Sequence, residues 1–239
     1  MKVHILIPSR LESTRLPNKP LADIAGKPMI CHVYDRATEA GIGKVSVAAG
    51  AQEIVDAVEA HGGSAVLTSP DLASGSDRIW DAMQTLIEQG AEKPDIIVNV
   101  QGDEPLLPPE LIQEAVEAFE LEWPDVVTFA HMIDQHHEME DPGMVKVVTD
   151  EKSQALYFSR SPIPHGAEAM KRHIGFYAYR YDALEKFVNT EPTTLEEVEK
   201  LEQLRGLDVG LKYYIGMTTE EPVGVDTPKD LERVRRLLS

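Results

Sequence analysis

The sequence predicts an α/β protein with a mostly parallel sheet covered by helices on both faces and a smaller antiparallel subregion. Three observations carry that prediction. Up to about residue 105, short apolar runs alternate with amphipathic helical stretches, the mark of parallel strands buried on both faces. Between residues 145 and 179, three strand-like runs follow one another with only loops between them, which suits antiparallel pairing. The length of 239 residues, with 42% hydrophobic and 27% charged residues, is ordinary globular usage and excludes a disordered or fibrous chain.

Taken in order, Val3–Pro8 reads as the first strand. Pro28–Ala40 reads as a helix, with Pro28 near its first turn and Gly41 as its stop. Lys44–Ala49 is a strand, Gln52–His61 a helix closed by Gly62 and Gly63, and Ala65–Thr68 a short strand. Ser76–Gln89 has helical spacing at Ile79, Met83 and Leu86, and Asp95–Val100 is a strand too apolar for a surface sheet. Leu111–Phe119 is a helix and Val126–His131 a strand. Strands at Val145–Thr149, Gln154–Ser159 and Ile174–Tyr179 come next. Helices return at Ala183–Asn189 and Leu195–Leu207, then a strand at Leu211–Gly216 and a closing helix at Pro228–Leu238. No repeat, low-complexity tract or linker divides the chain, so the expectation is one domain over 1–239 with an antiparallel insertion at about 126–216.

Charge narrows the classes of partner. With 23 Lys+Arg against 41 Asp+Glu, the chain carries −18 at pH 7, which disfavours nucleic acid as a ligand. No stretch reaches the roughly 20 apolar residues of a membrane span. The N-terminus runs straight into a strand without a secretory leader. The lone Cys31 suits a reducing compartment, so a soluble cytoplasmic protein is expected.

Against that acidity, the loop after the first strand stands out. Residues 1–44 hold seven Lys or Arg against four acids, a net +3 that leaves −21 on the rest. Ligands of open α/β sheets bind outside the carboxyl ends of the strands, where this loop must lie. Arg10 and Arg15 offer forked donors, Ser13 and Thr14 hydroxyls and Lys19 a point charge, a set suited to a polyphosphate. The Walker spacing and the GxGxxG fingerprint are both absent, and no helix is expected directly after the loop. A solvated basic loop without a ligand is the competing reading.

Two acids stand at other predicted strand ends. Asn99-Val100-Gln101-Gly102-Asp103-Glu104-Pro105 closes an apolar strand, with Gly102 allowing a sharp turn that presents Asp103. Gly224-Val225-Asp226-Thr227-Pro228 offers a second, although Asp226 or Thr227 could instead cap the helix begun by Pro228. Two carboxylates beside a polyphosphate repel it and each other unless a divalent cation lies between, and Mg²⁺ takes such hard oxygen ligands. A basic loop with metal-binding acids is equipment for nucleotidyl transfer.

These residues resemble the 3-deoxy-manno-octulosonate (KDO) cytidylyltransferases. The resemblance rests on Ile7–Arg10 with Ser13–Leu21, Gly26–Ile30, Ser74–Arg78, Val98–Pro105, Ala155–Arg160, Arg172–Gly175, Leu201–Arg205 and Gly224–Pro228, in order along nearly the whole chain. It implies a nucleotide-diphospho-sugar transferase-like fold and a chain that joins CTP to KDO, giving CMP-KDO and pyrophosphate for lipopolysaccharide biosynthesis. It implies that Arg10, Ser13, Arg15, Lys19, Ser74 and Arg78 hold CTP, and that Asp103 and Asp226 are the magnesium ligands. Lys19, Arg15, Asp103 and Asp226 would carry the catalysis, chiefly by positioning and charge. Gln101, Arg160, His173, Tyr177, Glu202 and Gln203 would form the sugar-acid pocket, and the protein would be a homodimer. Where the family usually has an acidic pair after the second strand, this chain has Ala48-Ala49-Gly50-Ala51, and Asn18 replaces a usual glycine. Asn tolerates left-handed backbone better than most residues. A sister enzyme for 8-amino-KDO or a sialic acid, or a nucleotide-binding module without catalysis, stays open.

Other residues invite chemistry less. His131, His136 and His137 lack a fourth ligand with metal spacing, so a polar surface loop is the plainer reading. Cys31 beside His32 makes no nucleophile pair, since adjacent helical residues point apart.

Overall fold

The computed structural model describes every residue except Thr14, Glu221, Pro222 and Ser239. The chain forms two compact units, Met1–Gln113 with Pro222–Ser239, and Glu114–Glu221.

In the first unit, β1 (Val3–Ser9) is followed by a 3-10 turn at Lys19–Leu21, a two-residue hairpin of β2 (Asp23–Ile24) and β3 (Lys27–Pro28), and α1 (Met29–Glu39). Then come β4 (Lys44–Ala49), α2 (Gln52–Ala60), β5 (Ala65–Leu67), α3 (Gly75–Glu88), β6 (Ile96–Asn99) and α4 (Pro109–Glu117), within which the chain passes to the second unit. Strands β6, β1, β4 and β5 pair in that order, every pair parallel. Successive strand residues face opposite sides, yet Ile5, Leu6 and Ile7 are all fully buried, so both faces of the sheet are covered. Helices α1, α2 and α3 supply cover against β1, β4 and β5. In α1 the buried residues are Met29, Ile30, Cys31, Val33 and Ala37, a helical stripe, and Cys31 is core as its sequence context suggests.

The second unit holds β7 (Val126–Ile133), α5 (His136–Met139), β8 (Lys146–Thr149), β9 (Ala155–Ser159) and β10 (Met170–Arg180). It continues with α6 (Tyr181–Val188), α7 (Thr194–Glu199), α8 (Gln203–Asp208) and β11 (Tyr213–Met217). Here β7 pairs antiparallel with β10 and parallel with β11, while β8 pairs antiparallel with both β9 and β10. His136 and His137 are exposed on α5. The chain then returns to the first unit as α9 (Pro228–Leu237). Among the described residues, no helix is long and apolar enough to cross a membrane.

One expectation is corrected. The helix expected over Leu195–Leu207 is broken into α7 and α8, with Lys200 left-handed at φ 57°. Lys200 ends α7 in left-handed backbone, and Arg160 satisfies carbonyls left at that end, its Nε donating to Glu199 O (2.8 Å) and its Nη2 to Lys200 O (3.2 Å). The basic loop contains the short 3-10 turn Lys19–Leu21, and no helix follows it until α1 begins at Met29.

Burial also sets a pH response. His4 on β1 is 5% exposed, and its Nε2 lies 3.0 Å from Ser46 Oγ. Burial first, then the Lys44 charge, lowers its pKa from 6.5 to about 4. A depressed folded-state pKa contributes stability that is present above 6.5 and lost as pH falls through about 4. The slope for one such site is at most about 1.4 kcal/mol per pH unit. His4→Gln, which never takes a proton, is expected to lose less of its unfolding free energy between pH 7 and pH 4 than the parent. Equal losses in urea melts would exclude His4 as a contributor.

Candidate active site

The site grows from the carboxyl ends of β1 and β6. Ser9 is buried, and its carbonyl accepts from Gly50 N at 2.8 Å, fixing the exit of β1 beside β4. In the following loop Ser13 Oγ accepts from Leu16 N at 3.3 Å, while Asn18 adopts φ 54°, the left-handed state its side chain tolerates. The carbonyl of Asn18 accepts from Leu21 N at 2.9 Å, so the chain turns into the 3-10 segment that carries Lys19. Thr14, proposed from sequence as a further hydroxyl donor, lies outside the described residues.

Gly102 lies in the turn expected of it, closed by Glu104 N donating to Gln101 O at 3.3 Å, and it also allows a close approach. Its φ is not left-handed; instead, a Cβ there would lie 2.6 Å from Pro8 O, so only glycine lets the loop after β6 approach the end of β1. That approach brings Asp103 beside the basic loop. The second acid arrives from the C-terminal segment. Val225 is fully buried, and its N–H donates to Asp103 O at 2.9 Å, pinning Asp226 next to Asp103. The helix cap falls to Thr227, which forms a capping box with Asp230, and Asp226 is thereby left to face the loop.

One ammonium joins both acids. Lys19 Nζ lies 2.6 Å from Asp103 Oδ2 and 3.2 Å from Asp226 Oδ1, and Arg15 Nη2 is 3.2 Å from the same Asp226 oxygen. Lys19 is the most covered of these groups, its side chain 15% exposed. These residues line a cavity of about 760 Å³, together with Arg10, Ser13, Ser74, Arg78 and Gln101. Four cations, Arg10, Arg15, Lys19 and Arg78, face it against three acids, Glu12, Asp103 and Asp226. The first unit thus gathers every described residue that the sequence assigns to nucleotide and metal, plus Gln101.

Arg78 is only 3% exposed, and its Nη1 donates to Thr68 Oγ1 (2.6 Å) and Ser69 O (3.0 Å). Burial, then the nearby Arg10 charge, lowers its pKa. The departure at Ala48–Ala51 finds its physical setting here. Ala48 and Ala49 are fully buried, and a Cβ on Gly50 would meet Arg78 Nη1 at 2.8 Å, so the missing side chain is the space the guanidinium uses. Ser74 is committed as the N-cap of α3, accepting from Asp77 N and donating to Asp77 Oδ2, while still lining the cavity.

The remaining candidates belong to the second unit. His173 and Tyr177 on β10 have ring centroids 5.4 Å apart. Burial, with Tyr179 and Glu202 adding to it, raises the Tyr177 hydroxyl well above its usual pKa. Glu202 is exposed and Gln203 buried at the start of α8, flanked by buried Leu201 and Leu204. Arg160, expected to grip a sugar carboxylate, has three of its five N–H donors on the carbonyls of Pro142, Glu199 and Lys200.

Sequence reasoning passed over two acids. Glu199 holds Ser159 Oγ at 2.7 Å and Arg160 N at 3.0 Å, and nothing in its exposed-looking helix singles it out. Glu104 was visible inside the Gly102-Asp103-Glu104-Pro105 motif but received no role. The residue is half-buried, yet its Oε2 is covered and has no hydrogen-bond partner among the described residues; burial, then Asp103, raises its pKa to about 8.

The chain is similar to known proteins over nearly its whole length. Residues 4–218 match the cytidylyltransferase family. The chain is 48% identical to the 3-deoxy-manno-octulosonate cytidylyltransferase of Paramagnetospirillum magneticum, covering 98% of this chain and 96% of that one. It is 49% identical to the enzyme of the same name from Bradyrhizobium sp., covering 100% and 98%. Its fold is similar to a solved CMP:2-keto-3-deoxy-manno-octonic acid synthetase complexed with CTP, with a TM-score of 0.91 at 40% identity over 99% of this chain and 98% of that one.

Proposed function

Since the chain belongs to the 3-deoxy-manno-octulosonate cytidylyltransferases, we propose that it transfers CMP from CTP to the anomeric hydroxyl of KDO, releases pyrophosphate and supplies activated KDO for lipopolysaccharide. The observation that carries this reading is the Lys19 ammonium held between Asp103 and Asp226 in a cavity lined by four cations. A cation already fits between the two carboxylates, and their hard oxygens, completed by phosphate and water, are a donor set for Mg²⁺. Asp103 and Asp226 would hold that ion, which when bound polarises phosphate oxygens and acidifies an attacking hydroxyl.

The chain's own residues do the rest. Arg10, Arg15 and Lys19 bind the triphosphate and offset the charge that develops on the departing pyrophosphate. Ser13 lies close to the phosphates, and Ser74 and Arg78 hold the nucleoside. Arg78 is fixed by Thr68 and Ser69, so it needs little ordering when the base binds. Gln101, Arg160, His173, Tyr177, Glu202 and Gln203 orient the acceptor, with amide, imidazole and phenol groups meeting hydroxyls and Arg160 meeting the carboxylate.

A pyrophosphate-release assay across CTP and UTP, with KDO, 8-amino-KDO and a sialic acid, tests the reading. CTP with KDO is expected to give the highest kcat/KM. A faster rate with either other acid would reassign the acceptor. CTP binding by calorimetry with no pyrophosphate from any acid would leave a nucleotide-binding module. We also place the protein in the cytoplasm as a homodimer, as its resemblance to the family implies. The mass of one chain by light scattering would remove the dimer.

A further inference from the structure

The pairing of β7 with β10 changes register where the candidate acceptor residues lie. Ile174 pairs with Phe129 and Ala178 with Val127, so β10 carries extra residues opposite Thr128. Thr128 is fully buried, and its single hydroxyl meets two groups of β10. Thr128 Oγ1 lies 3.1 Å from Ile174 O and 2.9 Å from His173 Nε2.

A hydroxyl has one proton, and a carbonyl only accepts. The Thr128 proton therefore goes to Ile174 O, and the hydroxyl oxygen accepts from His173, which requires the proton of the neutral ring to sit on Nε2. The other nitrogen, Nδ1, then carries a lone pair. Among the described residues nothing donates to it, and the ring is only 8% exposed. The Phe158 ring stands edge-on to the imidazole with centroids 5.0 Å apart, and the Tyr177 ring lies at 5.4 Å. Burial also lowers the pKa of His173 to about 3, which keeps the ring neutral at working pH.

We propose that Thr128 is a positioning residue that locks His173 in the Nε2–H tautomer, making Nδ1 an obligate acceptor for a hydroxyl of the sugar acid. The inference rests on the reading of His173 as an acceptor-pocket residue and adds its polarity. A neutral imidazole in this state recognises a donor, a sugar hydroxyl, and offers nothing to the sugar's carboxylate, which is acceptor-only when ionised. Hydroxyl and carboxylate are thus sorted to different side chains. The contribution is ground-state binding, so its loss shows in KM for the acceptor while kcat stays near its original value.

The test combines spectroscopy with kinetics on the full-length protein. In ¹⁵N-histidine-labelled protein, long-range ¹H–¹⁵N spectra between pH 6 and 8 are expected to show His173 protonated at Nε2 and bare at Nδ1. Thr128→Val removes the lock and is expected to raise KM for KDO about tenfold, with kcat within about twofold. Thr128→Ser keeps the hydroxyl and is expected to restore both the tautomer and KM, and it keeps the test open should the valine variant fold poorly. A wild-type ring protonated at Nδ1 overturns the proposal, as does an unchanged KM in folded Thr128→Val. His173→Ala separates the two layers. A raised KM there with an unchanged KM in Thr128→Val removes only the tautomer lock, whereas an unchanged KM in His173→Ala removes the pocket reading beneath it.

Discussion

Asp103→Asn and Asp226→Asn each lower kcat by more than a hundredfold, equivalent to at least about 2.7 kcal/mol of transition-state stabilisation, while the protein still folds. The side-chain shape is kept in both variants and only the negative charge is lost. Asp103 contributes its backbone carbonyl to Val225 N, a bond that the substitution leaves in place. The cap of α9 belongs to Thr227 and Asp230, so Asp226→Asn leaves that helix intact as well. Both side chains are partly exposed, 32% for Asp103 and 54% for Asp226, and neither supports the core. What the variants lose is a pair of hard oxygen ligands converging on one point. Steady-state rates at saturating Mg²⁺ and CTP, with circular dichroism to confirm the fold, give the answer. Turnover near the parent's in either variant would withdraw the metal assignment for that residue.

How these two acids meet shows what a sequence can disclose. Asp103 and Asp226 are separated by about half of the chain, and each follows a recognisable strand or precedes a helix, so their exposure at loop positions is legible. Their contact depends on the hydrogen bond from Val225 N to Asp103 O and on the close pass of Gly102 over Pro8 O. Neither is a local signal, because both are tertiary approaches of backbone to backbone. The parallel strands of the first unit were legible for the opposite reason. Ile5-Leu6-Ile7 and Ile96-Ile97-Val98 are buried on both faces, and that double burial is written directly into the composition.

Where a tertiary contact meets a local pattern, the reading from sequence is incomplete. The spacing over Leu195–Leu207 is sound helix, but the chain turns left-handed at Lys200, and Arg160 binds the carbonyls of Glu199 and Lys200 at the break. The same contact shows how Arg160 is held, with three donors on backbone carbonyls in addition to any bond to a sugar. Thr128 is a plainer case. It stands in an apolar strand where a threonine is unremarkable, and only the pairing of β7 with β10 shows that its hydroxyl meets His173 and Ile174 O.

Lys19→Ala is expected to reduce turnover by roughly a hundredfold and, at the same time, to enlarge the stabilisation that Mg²⁺ gives to the nucleotide-free protein. The two effects share one cause. In the free protein the ammonium sits 2.6 Å from Asp103 and 3.2 Å from Asp226, in the place a divalent ion would take, so metal and lysine compete for the same oxygens. Removing the lysine leaves two carboxylates facing each other. Like charges about 4 Å apart repel by about 4 kcal/mol at an effective dielectric of 20. The repulsion here is weaker because Asp226 is 54% exposed. Without metal, the variant therefore melts below the parent, and with Mg²⁺ much of the difference is recovered. Turnover stays low because the triphosphate has lost a cation that the metal does not replace. Melting curves over a Mg²⁺ titration, set beside pyrophosphate-release rates, separate the roles. A Mg²⁺ shift in Lys19→Ala no larger than in the parent would mean that the aspartates do not share an ion, and an unchanged rate would clear Lys19 of any part at the phosphates.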